Sequence, residues 1–270
     1  MKENLMKDNK NESLVSVITP TFNSERFIKK TIESILSQSY KNVELIIVDD
    51  CSTDNTISII KSFSDKRIVL IENKENMGAA YSRNIAIKHA NGEYIAFLDG
   101  DDLWDSTKLE KQIAFMEINN FSFTYTNYDI IDENDNDKGV FYTGPKSISF
   151  KSFRRANYVG CLTVIYKKNI CPSIEVPNDL YKRNDYALWL IISQKANCYL
   201  LNQILSHYRV RSGSISSGKK TRIFKHHIQL FMQVLSYNRV HAFLCSVRNI
   251  IFYFLKQIKY KKRKKQKVTL

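Results

Sequence analysis

Acidic residues vanish from the end of this chain. The last 52 of its 270 residues hold 14 Lys plus Arg and neither Asp nor Glu. The other 27 basic residues balance 27 acidic ones, so the formal net charge of +14 belongs wholly to the segment after Gly218. Long apolar runs are missing too: no stretch of about 18 apolar residues occurs, which argues against a membrane-spanning helix. Residues 1–11 are polar and charged and lack the apolar core of a signal peptide. Cys51, Cys161, Cys171, Cys198 and Cys245 form no C-x-x-C pair. Five scattered cysteines argue against a disulfide framework and read as reduced thiols in a cytosolic protein. Internal repeats are absent. The basic charge comes with no aromatic-rich recognition pattern, so nucleic acid is not an expected partner.

What is present is a rhythm. Residues 14–18 read as a short buried strand ended by Pro20. Asn23 or Ser24 can cap a helix carrying Phe27, Ile28, Ile32, Ile35 and Leu36. A second strand, 43–48, runs into Asp49 and Asp50, and Asp54 caps the next helix. A third strand covers 68–71. Gly78 opens a helix that Asn91-Gly92 stops, and 93–98 form a fourth strand. Near-continuous apolar strands alternating with helices predict an α/β fold. Its Rossmann-like, mostly parallel sheet is covered on both faces. Ligands of such sheets bind beyond the carboxyl ends of the strands, where Thr19–Asn23, Asp49–Asp54 and Asp99–Asp102 fall. After a helix over 107–119 the pattern becomes α+β. Strands are expected at 121–131, 162–166 and 204–210, an acidic turn at 132–139, and a helix from Asp185 to Ala196.

Tyr94-Ile-Ala-Phe-Leu-Asp-Gly-Asp-Asp-Leu-Trp104 is the most informative stretch. A buried strand there ends in Asp99, Asp101 and Asp102. Like charges so close cost free energy unless a cation neutralises them. Hard oxygen ligands suit Mg²⁺ or Mn²⁺, which commonly sit with substrate phosphates. The stretch therefore suggests a metal-bridged nucleotide diphosphate.

Four segments then stand in order: Val15-Ser-Val-Ile-Thr-Pro-Thr-Phe-Asn23, Val48-Asp-Asp-Cys-Ser-Thr-Asp-Asn-Thr56, Asn76-Met-Gly-Ala-Ala-Tyr-Ser-Arg-Asn84 and Phe97-Leu-Asp-Gly-Asp-Asp-Leu-Trp104. Together they resemble the family 2 glycosyltransferases of the GT-A fold, over about residues 14 to 112 and more weakly to about 215. The resemblance implies an inverting transferase that uses a nucleotide sugar, usually a UDP-sugar, with Mn²⁺ or Mg²⁺. It places Pro20, Thr21, Asn23, Asp50, Gly78, Arg83, Gly100 and Arg209 at the donor. Asp50 would accept a hydrogen bond from the base, or else cap a turn. Arg83 would lie near the nucleotide and the acidic loop, or else form a helix salt bridge. Asp99 and Asp101 would hold the metal, both side chains pointing one way from an extended segment. Asp102 would bond backbone or sugar. Where the family often has an acidic pair, this chain has Asn184-Asp185, so the general base falls to Asp185, with Asp179 as substitute and a first-turn helix acid as the plain alternative. The family's His is Arg211 here. An Arg cannot ligate a metal but can contact diphosphate, which leaves the third protein contact to the metal open. His207 reads as structural.

The expected domains are a disordered N-terminus at 1–13, a GT-A domain at 14–218 with its donor half at 14–112 and acceptor half at 113–218, and a basic amphipathic helical tail at 219–270. Apolar residues of the tail recur at helical spacing, interrupted by Arg248 and Lys256, and Lys261–Lys267 adds six basic residues. Such a tail suits an anionic membrane surface; a helical hairpin packed on the domain competes with that reading. The expectation is therefore a cytoplasmic enzyme, peripheral at the inner face of the plasma membrane, extending a lipid-linked bacterial surface glycan. Two rivals are a nucleotidyltransferase, which would want a Gly-rich loop that residues 19–24 lack, and a non-catalytic binding or scaffold protein. Sugar, linkage and oligomeric state are not legible.

Overall fold

The computed structural model describes residues 12–180, 182–211 and 220–264. The alternation runs β1 (Val15–Thr21), α1 (Ile28–Leu36), β2 (Val43–Asp49), α2 (Thr56–Lys61), β3 (Ile68–Glu72), α3 (Gly78–His89) and β4 (Tyr94–Phe97). Then come β5 (Leu103–Trp104), α4 (Lys108–Ile118), β6 (Phe123–Ile131), β7 (Asp137–Tyr142), β8 (Ser147–Ile148) and α5 (Phe150–Phe153). The chain ends with β9 (Ile165–Lys167), α6 (Asn184–Ile192), β10 (Cys198–Arg209), α7 (Lys220–Leu235), α8 (Arg239–Tyr260) and β11 (Lys261–Arg263).

The sheet order is β11-β7-β6-β9-β4-β1-β2-β3, with β10 beside β6. Strands β3, β2, β1 and β4 are parallel, as helical crossovers require. The second half departs from the mostly parallel expectation. There β9 inserts between β4 and β6 antiparallel to both, and β7 and β11 continue antiparallel. A turn joins β6 to β7, while the connections leading to β9, β10 and β11 carry α5, α6 and the α7–α8 pair.

Alternation along each strand feeds two cores. Val15, Val17, Leu45 and Ile47 face one side, where α1 brings Ile28, Ile32 and Ile35 and α4 brings Leu109, Ile113 and Met116. Ile18, Ile46 and Val48 face the other, with Ala86 and Ile87 of α3 and Leu188, Trp189 and Ile192 of α6. Each fully buried side chain of this kind contributes about 1.5–3 kcal/mol relative to exposure. Trp189 meets Phe97 edge-on at 5.2 Å, so α6 is bound to the end of β4 that carries the acidic loop.

Some local expectations change. β1 continues through Pro20 to Thr21, because Pro20 stands on the side where β4 has already ended at Phe97 and no amide is needed. Neither Asn23 nor Ser24 caps α1 through its side chain; the Ser24 carbonyl instead accepts the Phe27 and Ile28 amides. β10 begins six residues before the expected 204, and register shifts after Leu201 and Ile204 break its alternation. Residues 1–11 of the expected N-terminal segment lie outside the described residues. Glu12 and Ser13 are tied down: their carbonyls accept Asn42 Nδ2 and the Tyr40 hydroxyl, each at 2.5 Å.

The basic segment is joined to the sheet. α7 and α8 bury Leu230, Phe231, Ala242 and Cys245 in the core that faces α6. β11 then pairs with β7. α8 keeps an outward stripe: Val240, Leu244, Val247, Ile251, Phe254 and Ile258 are all exposed. Among the described residues, no helix is long and apolar enough to cross a membrane. Lys219, Lys265 and Lys267 of the tail lie outside the described residues.

Candidate active site

β1 and β2 end side by side, with Thr21 opposite Asp49. Asp50, next in the chain, is buried. Its Oδ1 accepts Asn73 Nδ2 at 2.8 Å and the Met77 amide at 2.9 Å, and its Oδ2 accepts the Gly78 amide at 2.7 Å. Asp50 therefore holds the start of α3 against the end of β2. Three of the roughly four acceptor positions of a carboxylate are taken, and about one is left for a ligand donor. Gly78 has φ of 86°, a conformation that would strain any L side chain. Asn23 takes φ of 47°; its Oδ1 accepts the Thr53 amide and its own amide donates to Ser52 Oγ, both at 2.9 Å. Pro20 and Thr21 form the floor between these loops. A Cβ on Gly100 would lie 2.7 Å from Thr21 Oγ1, so only glycine lets the acidic loop pass this close.

That loop is a turn and not the expected extended segment: the Asp102 amide donates to the Asp99 carbonyl at 3.1 Å. Its carboxylates consequently go to different partners. Asp99 Oδ1 pairs with Arg83 Nη2 at 2.5 Å, and Asp101 Oδ2 with Arg211 Nε at 2.7 Å. Asp102 is fully buried and accepts the Arg209 amide at 2.8 Å, a backbone role as expected. Burial raises the Asp101 carboxyl above its ordinary range, Arg211 opposes this and the charge of Asp99 adds to it. Burial, then the charges of Asp101 and Asp99, push Asp102 well above that range. Among the described residues no three His, Cys, Asp or Glu side chains gather as a metal cage. The protein's share is the oxygen set of this loop, which fits a hard cation completed by phosphate oxygens and water.

Arg209, expected at the donor, bonds the protein through Nε and Nη1, while its buried Nη2 has no hydrogen-bond partner among the described residues. Its Nε donates to the Asp101 carbonyl at 2.7 Å, and its Nη1 donates to the Asp132 carbonyl at 3.0 Å and to Asp135. It locks the acidic loop to the 132–136 turn. Arg211 reaches the loop from the same strand end and is more exposed. The rest of the family-like segment, residues 212–216, lies outside the described residues. His207 pairs with Asp129 at 2.6 Å, as its structural reading anticipated.

Arg83 ties the site together. This buried guanidinium bonds Asp99 through Nη2 and the Asn184 side-chain carbonyl through Nη1. Burial alone would lower its pKa; Asp99, Cys161 and Asp185 more than reverse that, so it stays charged. Asn184 opens α6 and Asp185 follows it, so a single guanidinium connects the acidic loop to the candidate base. Asp185 Oδ2 accepts Asn157 Nδ2 at 3.4 Å. Asp179 is held by Gln229 and Gln233 of α7. Sequence reasoning treated Asn184 only as a lost acid and missed its bond to Arg83. It also missed Asn73 and Asn157, which no motif marks; only Asn73, just past a strand end, stood where a ligand loop is expected. The arrangement links the acidic loop through Arg83 and Asn184 to the start of α6, where Asp185 stands.

The sequence profile of Glycosyl transferase family 2 matches residues 16–167. The chain is 42% identical over 208 residues to the Escherichia coli protein UDP-Glc:alpha-D-GlcNAc-diphosphoundecaprenol beta-1,3-glucosyltransferase WfgD, covering 76% of this chain and 81% of that one. Its fold is similar to S. aureus TarS 1-349 in complex with UDP, with a TM-score of 0.68 at 20% identity over 91% of this chain and 73% of the other. It is also similar to the mannosyltransferase PcManGT from Pyrobaculum calidifontis in complex with GDP-Man and Mn²⁺, with a TM-score of 0.64 at 17% identity over 92% and 77%. The structural likenesses establish the GT-A fold, and the family match favours an enzyme of that family over the nucleotidyltransferase and scaffold readings. The chain belongs to glycosyl transferase family 2 and is a glycosyltransferase.

Proposed function

We propose that this enzyme moves a sugar from a UDP-sugar, with inversion, onto a hydroxyl of a sugar carried by a diphospholipid. The observation that carries the reading is the Asp99–Arg83–Asn184 chain, which sets the donor loop next to Asp185. Asp185 takes the proton of the acceptor hydroxyl while its oxygen attacks the anomeric carbon from the face opposite the nucleotide. The bond from that carbon to the diphosphate breaks, and negative charge grows on the departing UDP. The fixed charges of Arg83 and Arg211 oppose that charge without needing to reorganise. Asp99 and Asp101 would hold a divalent ion. Such an ion, when bound, supplies Lewis-acid neutralisation of the leaving group. A base contact at Asp50 uses the acceptor position that α3 leaves free. The UDP and Mn²⁺ named with the two similar structures and the acceptor named for WfgD support these choices.

The outward stripe of α8, with the all-basic β11 beside it, suits an anionic membrane surface on which a lipid acceptor resides. The decisive experiment incubates the full chain with a panel of nucleotide sugars, Mn²⁺ and a GlcNAc-diphosphoprenol acceptor. UDP release and a product one sugar heavier are expected with one UDP-sugar. Nucleotide release that never depends on the acceptor sinks the reading. Ile251→Asp with Ile258→Asp should abolish co-sedimentation with anionic vesicles at low salt while leaving the domain folded.

A further inference from the structure

Asp185 is approached from two sides. Arg83 and Asn184 reach it from the donor loop. From the other side comes a group of cations that the donor chemistry does not use. Arg155 follows α5, Arg183 precedes α6, and Arg248 and Lys256 stand on α8. All four are half-buried, and none forms an ion pair among the described residues. Lys256 Nζ donates to the Asn157 carbonyl at 2.6 Å, and Asn157 Nδ2 donates on to Asp185. Burial, then the charge of Arg183, pull the Lys256 ammonium down to about 8, against the pull of Asp185. Arg248 Nε is buried and has no hydrogen-bond partner. Arg155 stacks only on the Phe252 ring at 5.7 Å.

Desolvated cations facing one another cost free energy unless an anion completes them. One carboxylate, Asp185, cannot complete four. Guanidinium forks and an ammonium match phosphate oxygens in geometry and charge. The donor diphosphate belongs to the acidic loop on the other side of Asp185. In a displacement with inversion the acceptor enters opposite the leaving nucleotide, so its diphosphate needs a cation set separate from the donor's. α8 supplies the remaining constraint. Lys256 and Arg248 turn inward while Ile251, Phe254 and Ile258 on the same helix face out, each more than half exposed. A helix lying on a bilayer in that orientation holds its two cations at the level where lipid phosphates sit.

We propose that Arg155, Arg183 and Lys256, steadied by Asn157, bind the diphosphate of the lipid acceptor, one sugar away from the hydroxyl that Asp185 deprotonates. The assignment rests on the diphospholipid acceptor argued above. The direct test measures binding of farnesyl diphosphate to the full chain with UDP and Mn²⁺ saturating, so that the donor site is filled. Binding is expected in wild type. Lys256→Gln and Arg155→Ala should each weaken it about tenfold or more, the scale of one charged hydrogen bond, while Lys256→Arg retains it. UDP affinity should be unchanged in all three. Farnesyl diphosphate that binds only when UDP is absent, or binds equally to wild type and variants, overturns the site. Parallel loss of UDP affinity overturns it too, since these residues would then serve the fold. Inorganic pyrophosphate or phosphatidylglycerol vesicles competing as well as the prenyl diphosphate would assign the cluster to free anion or bulk lipid instead. An unchanged acceptor KM in Lys256→Gln rejects the site and leaves the transferase reading standing. No transfer to any diphospholipid, with charge-dependent farnesyl diphosphate binding intact, rejects the acceptor assignment and leaves an anion site.

Discussion

Two acidic clusters stand at strand ends of the same sheet and are held in opposite ways. Past β2, Asp50 is satisfied by amide donors from Asn73, Met77 and Gly78. Past β4, Asp99 and Asp101 are each satisfied by a guanidinium at the end of a long side chain. Two of these donors are backbone amides that cannot be exchanged, so Asp50 is held as architecture and keeps one acceptor position for a ligand. The second cluster is held by side-chain charges, so a bound cation can share its counter-charge while the guanidiniums stay in place. Burial follows the same contrast: Asp50 is buried, while Asp99 and Asp101 keep part of their side chains exposed.

The strongest way to break the comparison lies next to the second cluster. Asp185→Asn should lower transfer by about 10²–10⁴-fold, the usual worth of a general base, while UDP binding stays near wild type. Lost UDP binding would make Asp185 structural, and unchanged transfer would move the base to another residue. Asp101→Asn should cost about 100-fold in turnover, with the melting temperature held, as befits a shared counter-charge. Near-normal turnover of that variant in excess EDTA would remove the metal from the loop. Asp50→Ala sharpens the other side. It strands the Met77 and Gly78 amides and should cost about 1–3 kcal/mol of stability, read as a lower denaturation midpoint. A variant that keeps its midpoint and loses only UDP affinity would leave Asp50 no part in holding α3 and dissolve the distinction.

The smallest expected effect tests the interface between the basic segment and the domain. His227 on α7 is buried, neither ring nitrogen has a hydrogen-bond partner, and burial first, then Arg183 and His226, push its pKa from 6.5 down to about 3. The folded state therefore binds fewer protons than the unfolded one between those values. This contribution to stability is full above pH 6.5 and declines as the pH falls toward 3, by at most about 1.4 kcal/mol per unit. Melting temperatures from pH 7 to 5 should fall more steeply in wild type than in His227→Leu. Equal slopes would show that α7 opens before the domain does.

Legibility followed the same division. Between residues 14 and 98 near-continuous apolar strands alternate with helices and the loops carry motifs, so β1 to β4 and α1 to α3 stand close to where the pattern placed them. Two- and three-residue strands such as β5, β8 and β11 are too short for periodicity, and β10 is hidden by its own register shifts. The Arg83–Asn184 bond spans 101 positions, and only the folded sheet brings its ends together. Arg209 matched a motif, yet its Nη1 is spent on the 132–136 turn, because a motif fixes a residue's place and not its partners. The outward stripe of α8 was visible as periodicity, but its inward cations were read as interruptions.

β11 has a bearing on how this molecule behaves in a crowd. An edge strand with free amides and carbonyls is a template on which another sheet can add. Here the last described strand on that flank is Lys261-Lys-Arg263, all exposed. Three consecutive positive charges make a second copy's identical edge an electrostatically poor partner, and the sheet stops growing where the sequence has used up its acids.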